Sequence, residues 1–532
     1  MFLSKISFSQ KLLAVSLMAV LTGGMVACSD NNDNEKTKVE TPAKPTAKNV
    51  IFFLGDGMGM TTLTASRIYS VGEDGELTID TLPETAFIRT FSEDGQVTDS
   101  APSMAAYMTG VKMKNEVISM QTGTVASLPK ADGTSTCDDV AENKGKQPAE
   151  TLLELAKAQG MGTGVVTTTR ITHATPATTY AHVCHRDAEN DIAAQLVPGG
   201  KGTGWAAYNP KLKDGVDVVL GGGLRQFKPT TVAGGKRADG RDLVKEMQDQ
   251  GYNFVASGSD LAKVDPTKTK KLLGLFNSSH MNYDLDRTKK NIDEPSLADM
   301  TTKAIDVLQA KNKSFFLMVE GGRIDHALHD TNAKRALQDT VAFDNAIKAA
   351  IDKVKKTDPE LKNTLIVVTA DHDHTLVLNG YAKRTGKYVK GGETSVLGVV
   401  KNYNKPGYAT DENGNPYPII GFGNGKKRLD ADRKEARGTI KDSDDCNPVT
   451  GPVGKYTDSR GTDIDKDGWC TGTAADDFQQ EAVVQTGFAD SETHGGTDVF
   501  LGALGAGSDN FHGNLENIEI FDLVRKAIGL NK

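Results

Sequence analysis

Helical segments that are each followed by a short apolar run recur along this chain and limit the folds open to it. The three clearest pairs are AETLLELAKAQG with TGVVTTT, LADMTTKAIDVLQAKN with SFFLMVEGG, and ALQDTVAFDNAIKAAIDKVKK with TLIVVTADHDH. Apolar residues at helical spacing predict amphipathic helices, and the apolar runs predict buried strands. Strands that alternate with helices pair in parallel. The sequence therefore predicts an α/β fold with a large, mostly parallel sheet and helices on both of its faces.

The pattern is interrupted between about residues 384 and 480, where Gly, Lys, Asp and Asn replace the apolar runs. It resumes with VFLGALG, which predicts a strand, and ENIEIFDLVRKAIGL, which predicts a closing helix. A chain of 532 residues is long enough to bury a large core. We therefore expect one large domain with an irregular insertion, rather than several modules.

The charge of the chain excludes one class of partner. The net charge is −8 at pH 7, and no basic cluster of the kind that neutralises many phosphates is present. Proteins dedicated to nucleic acids neutralise many phosphates with lysine and arginine, so we expect no dedicated nucleic-acid partner. A small anionic substrate would need local positive charge, which a bound metal would supply.

Residues 1–28 have the pattern of an export signal, with lysines before a short apolar run and small residues at the end. The run from Leu12 to Leu21 is shorter than the about 20 residues that a membrane-spanning helix needs. MVAC resembles a bacterial lipoprotein cleavage box, which predicts a lipid on Cys28, and residues 29–46 predict a flexible tether. We expect an exported protein of the periplasm or cell surface, lipid-anchored to the outer membrane.

The other cysteines agree with export. If Cys28 carries lipid, four remain: Cys137, Cys184, Cys446 and Cys470. An even number in an oxidising compartment favours disulfides. Proximity in sequence favours pairing 137 with 184 and 446 with 470, while the other two ways of pairing the four cysteines stay open.

Charged residues follow several predicted strands at the point where each strand ends. Asp56 follows VIFFLG, Glu320 follows FFLMV, and Asp371 with His372 follows LIVVTA. Ligand groups of open α/β sheets gather beyond the carboxyl ends of the strands, so we expect these side chains to meet. Crowded carboxylates repel and raise one another's pKa values, so the arrangement predicts cations between them.

A second set of residues has the spacing of metal ligands. In EGGRIDHALHD, Asp325 and His329 are four residues apart and share one face of a helical turn. His494 in SETHGG could add a ligand from a distant loop. One aspartate and two histidines suit zinc with an open position. His326 and His374 are as well suited to support the ligands as to bind the metal.

Ser100, in VTDSAPSMAAYMTG, is either a helix-starting residue or a nucleophile. A serine that starts a helix with Pro102 in its first turn is a common cap. A serine hydroxyl is a weak nucleophile at neutral pH, but a nearby zinc ion could stabilise its alkoxide, and a helix N-terminus would add to this effect. The stretch alone leaves both interpretations open.

Six fragments together resemble a known family. GDGMG, TDSAPS, THATPAT with AHVCHR, VEGGRIDHALH, TADHDH and ETHGG occur in this order. They resemble the alkaline phosphatase family over about residues 47–530. The resemblance implies the family's fold, with a catalytic domain at residues 47–532 that includes the insertion, and a homodimer. It also implies hydrolysis of a broad range of small phosphate monoesters to an alcohol and inorganic phosphate.

The same resemblance implies a role for each matching residue. Ser100 would form a phosphoserine intermediate, and Asp99 would orient the phosphate-binding Arg186. Two zinc ions and one magnesium ion are implied. Their ligands would be Asp325, His329 and His494 for one zinc ion, Asp56, Asp371 and His372 for the other, and Asp56, Thr175, Glu320 and His173 for magnesium.

Two histidines depart from the pattern of some bacterial members. His173 stands two residues before Thr175, where those members have an aspartate, and His326 replaces a lysine. Both histidines resemble the animal enzymes. Imidazole is a softer, neutral donor, so His173 affects which metal the third site takes. We expect His326 to contact metal ligands rather than a metal.

Two other functions compete with phosphate hydrolysis as explanations of the sequence. SAPSMAAYMTG also resembles the sulfatase signature, in which a Cys or Ser before x-Pro-x-Arg becomes formylglycine, but Met104 occupies the arginine position. A non-catalytic, metal-binding cell-surface protein is the other alternative. In DIDKDGWC, residues 463–468 copy the opening of a calcium loop, but Ala474 stands where the loop's closing glutamate belongs. The segment predicts either a calcium site or a solvated acidic turn.

Overall fold

The strands of the molecule alternate with helices along the chain, as the sequence predicts. The computed structural model describes residues 47–200, 209–311, 313–389, 395–412, 417–425, 476, 479–486 and 491–530. The strands are β1 (Asn49–Gly55), β2 (Glu84–Arg89), β3 (Gly162–Arg170), β4 (Val218–Gly222), β5 (Tyr252–Val255), β6 (Lys271–Leu275), β7 (Phe315–Gly321), β8 (Thr364–Ala370), β9 (Asp373–His374), β10 (Leu376–Leu378), β11 (Ile420–Gly425), β12 (Ala482–Gln485), β13 (His494–Gly495), β14 (Val499–Gly505) and β15 (Gly513–Glu516).

The helices connect these strands and include the ones expected from the apolar spacing. They are α1 (Met60–Val71), α2 (Ser100–Thr109), α3 (Leu152–Ala158), α4 (Ala174–Ala177), α5 (Glu189–Gln195), α6 (Leu243–Asp249), α7 (Gly258–Lys263), α8 (Asp284–Lys289), α9 (Leu297–Gln309), α10 (Arg323–His329), α11 (Ala333–Val354) and α12 (Asn517–Ala527). Local chemistry fixes some of their ends. Ser296 and Asp299 form a reciprocal capping box at the start of α9, which satisfies two backbone N–H groups.

Ten strands form one sheet in the order β15-β2-β14-β8-β1-β7-β3-β4-β6-β5. Within this sheet only β14 runs against the others, antiparallel to both β2 and β8. The prediction of a mostly parallel sheet is therefore confirmed. The segments VFLGALG and ENIEIFDLVRKAIGL form β14 and α12, as expected.

The centre of the sheet is covered on both faces. Every residue of β7 and β8 is buried, and so are all residues of β1 after Asn49. Successive side chains of a strand point to opposite faces, so burial of consecutive residues requires cover on each side. This confirms the expected layering of helices on both faces and explains why these strands read as continuous apolar runs.

The inserted region is described only in part. Its strand β11 pairs with β10 and β12 in a separate three-stranded sheet. The export signal, Cys28, the tether, Cys446, Cys470 and residues 463–468 lie outside the described residues. Cys137 and Cys184 form the expected disulfide, with their Cα atoms 5.6 Å apart. Among the helices that the structure describes, none has the length and apolar character needed to cross a membrane.

Candidate metal centre and active site

Three central strands end at the same level and bring their polar residues together. Gly55 at the end of β1 is in register with Gly321 of β7 on one side and with Ala370 of β8 on the other. Asp56 and Asp371 follow these strand ends, and Glu320 precedes Gly321. Together with His372, these side chains are fully buried. Parallel pairing therefore places three carboxylates and an imidazole at one edge of the sheet.

Asp56, Asp371 and His372 form one candidate metal site. The Nε2 atom of His372 lies 3.4 Å from Oδ1 of Asp56 and 3.4 Å from Oδ2 of Asp371. Oδ1 of Asp371 accepts the backbone N–H of Gly57 and of His372, each at 3.0 Å. Oδ2 of Asp371 is buried without a hydrogen-bond partner in the described structure. A buried carboxylate oxygen with no donor is costly, so this atom fits a cation.

The pKa shifts of these groups also favour a bound cation. Burial raises the pKa of Asp371 and of Glu320 well above the usual carboxyl range, and the charge of Asp56 raises both further. Burial lowers the pKa of His372, but Asp371 and Asp56 outweigh this effect and raise it to about 9. The protein without metal thus holds protons where a cation would relieve the repulsion.

A second candidate site lies between α10 and β13. Nε2 of His329 is 3.2 Å from Oδ1 of Asp325, and Nε2 of His494 is 3.5 Å from the same oxygen. Strand β13 pairs with β9, which sets His374 opposite His494. Nε2 of His374 lies 2.9 Å from Oδ1 of Asp325. The three predicted ligands are thus brought together, with His374 beside them.

The tautomers of these histidines favour a metal. Nδ1 of His329 lies 2.6 Å from the backbone oxygen of Glu492, and Nδ1 of His494 lies 2.8 Å from that of Thr98. A carbonyl oxygen can only accept, so each Nδ1 carries the proton and each neutral ring turns its Nε2 lone pair inward. The two Nε2 atoms are 3.1 Å apart. Two lone pairs at this distance, next to a carboxylate, fit a shared cation.

The expected third site lies on the other side of Asp56. Oγ1 of Thr175 donates to Oδ2 of Asp56 at 3.3 Å. Single ligand atoms of Asp56, His173 and Glu320 lie within 4.8 Å of one another. Oε1 of Glu320 is buried without a partner in the described structure. This unpartnered carboxylate oxygen again fits a cation, here with mainly oxygen ligands and with His173 beside them.

Ser100 is the first residue of α2 and lies against this centre. Asp99 occupies the N-cap position, and no side-chain capping hydrogen bond is formed there. The Ser100 hydroxyl therefore does not cap the helix. Its Oγ lies 3.1 Å from Nε2 of His372 and 3.4 Å from Oδ1 of Asp56, and the residue is 2% exposed.

Arg186 is bound to Asp99, the residue before Ser100. Its Nη1 donates to Oδ1 of Asp99, and its Nη2 lies 3.1 Å from Nε2 of His173. The backbone of Glu116 joins the pair, because its N–H donates to Oδ2 of Asp99 at 2.8 Å and its carbonyl accepts the N–H of Arg186 at 2.8 Å. Asp99 thus holds the guanidinium in a fixed orientation next to the metal centre.

Several residues at the centre were not found by sequence reasoning. The Glu492 carboxylate is buried and accepts from Nδ1 of His374 at 2.5 Å and from the backbone of Thr375 at 2.6 Å. Its position two residues before His494 in SETHGG was an available signal. His326 does not join the Asp325 site but lies with His173 and His280. No sequence signal pointed to His280.

Known proteins share this architecture. A family model of alkaline phosphatases matches residues 47–530. The membrane-bound alkaline phosphatase of Bombyx mori is 36% identical over 411 residues, which cover 71% of this chain and 67% of the silkworm protein. The human tissue-nonspecific alkaline phosphatase is 36% identical over 403 residues, covering 71% and 70% of the two chains.

Solved structures agree on the fold. The Thermus thermophilus alkaline phosphatase matches with a TM-score of 0.60 at 24% identity, covering 94% of this chain and 96% of its own. The enzyme of the Antarctic bacterium TAB5 matches with a TM-score of 0.58 at 22% identity, covering 92% and 100%. A variant of the TAB5 enzyme was solved with magnesium in its M3 site. The chain belongs to the alkaline phosphatase family and is a metal-dependent enzyme that hydrolyses phosphate monoesters.

Proposed function

We propose that Ser100 is the nucleophile and that hydrolysis passes through a phosphoserine at this residue. One observation carries the proposal: Oγ of Ser100 lies 3.1 Å from Nε2 of His372 and 3.4 Å from Oδ1 of Asp56, at the first position of α2. Both neighbouring atoms belong to the candidate metal site of Asp56, Asp371 and His372, so Oγ lies where a cation bound there would stabilise its alkoxide. The N-terminus of a helix favours the negative charge that develops on Oγ.

The reaction would proceed in two displacements at phosphorus. In the first, Oγ of Ser100 forms a bond to phosphorus while the bond to the alkoxy oxygen breaks, and the alcohol leaves with a proton. In the second, a water oxygen bonds to phosphorus while the bond to Oγ breaks, which returns a proton to Ser100 and releases inorganic phosphate. Positioning and charge stabilisation carry most of the catalysis in such transfers.

Arg186 would hold the phosphate in both steps. A guanidinium presents two parallel N–H groups to two oxygens, which a lysine cannot do. The ion pair with Asp99 and the backbone contact with Glu116 fix its orientation before the substrate arrives. Because these contacts recognise phosphate and not the alcohol, we expect a broad substrate range.

The unpartnered buried atoms support the expected metals. Asp325, His329 and His494 would hold one zinc ion, and Asp56, Asp371 and His372 the other, since these sets combine carboxylate and imidazole donors. Asp56, Thr175 and Glu320, with His173 beside them, would hold magnesium. When bound, the ions supply positive charge that stabilises the serine and leaving-group oxygens.

The test is a Ser100→Ala variant with a chromogenic phosphomonoester as substrate. We expect turnover to fall on the order of 10⁴-fold or more, as for other enzymes that lose their nucleophile. Ser259→Ala, a change at an exposed helix residue, should leave turnover unchanged. Acid quenching with labelled substrate should place the phosphate on Ser100. Label on another residue, or faster turnover of the matching sulfate ester, would contradict the proposal.

Metal analysis of the pure protein tests the cofactors separately. We expect about two zinc ions per chain, as in two-metal phosphatases, together with magnesium. One zinc ion or none in active protein would contradict the assignment.

We also propose the location and organisation expected from the sequence. Residues 1–28 would direct export, a lipid on Cys28 would anchor the protein to the outer membrane, and residues 29–46 would tether the catalytic domain of residues 47–532. The signal pattern and the family's homodimer support this arrangement. Mass spectrometry of the mature protein would contradict the anchor if Cys28 carries no lipid. Sedimentation of a monomer at working concentration would contradict the dimer.

A further inference from the structure

Next to the metal centre lies a group of arginines and histidines that the proposed mechanism does not use. This arginine–histidine cluster consists of Arg170, Arg225, His280, Arg323 and His326. The rings of His280 and His326 are 4.2 Å apart between centroids, and each lies 5.2 Å from His173. His173 in turn contacts Arg186. One imidazole therefore separates the cluster from the arginine that would hold the phosphate.

The positive charge of the cluster is only partly balanced. Nε of Arg170 donates to Glu189 at 2.8 Å. In the described part of the chain, neither Arg225 nor Arg323 has a carboxylate within 4.0 Å, and Nε of Arg323 is buried without a hydrogen-bond partner. Arg323 instead stacks on the ring of Tyr283, 3.8 Å from its centroid. Half-buried guanidinium groups without a counter-charge are costly unless a ligand supplies one.

Of the two histidines of the cluster, His326 presents a hydrogen-bond donor, whereas His280 is held by Arg170. Nη1 of Arg323 donates to Nδ1 of His326 at 2.8 Å. The neutral ring must then carry its proton on Nε2, which has no hydrogen-bond partner among the described residues. At His280, both ring nitrogens face N–H groups of Arg170. A neutral imidazole can accept at only one nitrogen. The other nitrogen of His280 therefore carries a proton and faces a second N–H group of Arg170 without forming a hydrogen bond with it.

A metal ion does not fit this cluster, although three imidazoles lie within ligand distance of one another. Arginine N–H groups already occupy ring nitrogens of His173, His280 and His326. Three guanidinium charges would also repel a divalent cation. An anion with several oxygen acceptors satisfies both the charges and the unpaired N–H groups, as in other arginine-rich phosphate sites.

We propose that the arginine–histidine cluster binds a second anionic group of the substrate. The preferred substrates would then be phosphate monoesters whose alcohol carries another phosphate or a group of similar charge. This inference rests on the proposed function, because the second group is placed relative to the phosphate held beside Arg186. Each cluster residue keeps part of its surface exposed to solvent.

The test compares alkyl phosphates with phosphonoalkyl phosphates of the same length, from two to five methylene groups. The phosphonate cannot be hydrolysed, so each substrate offers one ester. We expect kcat/KM for the best phosphonoalkyl phosphate to exceed that of its alkyl partner by about tenfold to hundredfold, the size of one or two charge-assisted hydrogen bonds. Arg323→Gln and Arg225→Gln should each reduce this ratio by about tenfold.

Arg525→Gln is the matched control, since it removes the same charge from an ion pair with Asp522 in α12 and should leave the ratio unchanged. Two cluster variants are used so that one unstable protein does not decide the result. A wild-type ratio near one, or a high ratio that both variants retain, would overturn the inference while phosphate hydrolysis stands. If the wild type hydrolyses neither ester, the proposed function itself fails.

A final measurement, inhibition by inorganic phosphate, distinguishes binding of a substrate group from binding of a free anion. If the cluster holds free inorganic phosphate instead, Arg323→Gln would weaken inhibition by phosphate without changing the substrate ratio. That result would overturn the assignment to the substrate. A fall in the ratio in both variants, with the control unchanged, supports it.

Discussion

Two groups of histidines lie side by side at one edge of the sheet and have opposite surroundings. Burial lowers the pKa of His329, His372 and His374, but neighbouring carboxylates outweigh it and raise all three. For the second group, His173, His280 and His326, burial lowers the pKa, and nearby arginines and imidazoles lower it further. The same residue type therefore lies in two opposite electrostatic environments.

The difference shows how the neighbours of a histidine decide its use. Rings beside carboxylates turn lone pairs toward a negative centre, which favours a cation. Rings beside guanidiniums stay neutral and turn N–H groups outward, which favours an anion. His494 is an exception in the first group, because burial and His372 lower its pKa. Its Nδ1–H bond to a carbonyl nonetheless turns its Nε2 lone pair toward His329.

The largest expected effect comes from removing a proposed metal ligand in the group of histidines that lies beside carboxylates. His329→Ala should reduce turnover by more than about 100-fold. Loss of a residue that only supports a metal ligand already costs up to about that much, and His329 is a proposed ligand itself. Zinc content should fall with it, because Nε2 of His329 faces Asp325. His512→Ala, at an exposed position, is the control and should change neither quantity. Full zinc content in the His329 variant would place the metal elsewhere.

A smaller loss is expected when a ring keeps its place but loses its orienting carboxylate. Glu492 accepts from Nδ1 of His374 and from Thr375. Glu492→Gln should reduce turnover or zinc affinity by about 10-fold to 100-fold, the range for such partners. A glutamine can replace only part of these contacts. Unchanged zinc affinity and turnover would show that Glu492 serves the fold and not the site.

The smallest effect is a difference in stability with pH between metal-free and metal-loaded protein. His372 has its pKa raised to about 9, so the stability it contributes is present below about pH 6.5 and is lost as pH rises through about 9. The raised pKa values of Asp371 and Glu320 act in the same direction. Bound metal keeps these groups deprotonated, so the alkaline loss should be smaller in the loaded protein.

The second group of histidines gives the opposite sign. The pKa of His173, His280 and His326 is lowered, so their contribution is present above about pH 6.5 and is lost as pH falls below it. Thermal unfolding midpoints across this range, with and without a chelator, measure both trends. Equal alkaline slopes in the two samples would contradict the assignment of His372 to a metal site.

Local sequence pattern was enough to predict most of the fold. Apolar periodicity gave α9, α11, β7 and β8, because each is decided by residues close together in the chain. The antiparallel direction of β14 was not predictable, since VFLGALG has the same apolar character as its parallel neighbours. Direction depends on the path of the chain between strands, which includes the irregular insertion.

Some contacts of the candidate site could likewise be predicted from local sequence pattern, and others could not. Asp56, Asp371 and His372 could be expected to meet, because they follow strands whose carboxyl ends share one edge. The contact between His280 and His326 could not be expected, because the loop after β6 meets α10 only through tertiary packing. His374 was ambiguous in sequence, and pairing of β9 with β13 set it opposite His494.

By itself, the sequence determined the helices, the strands and the order of the polar residues that end them, since these depend on spacing along the chain. Tertiary structure alone decided which polar residues face one another, as His329 and His494 do across 165 positions. It also decided the charge around each histidine, and hence its protonation, because electrostatic interactions depend on distance in space and on burial.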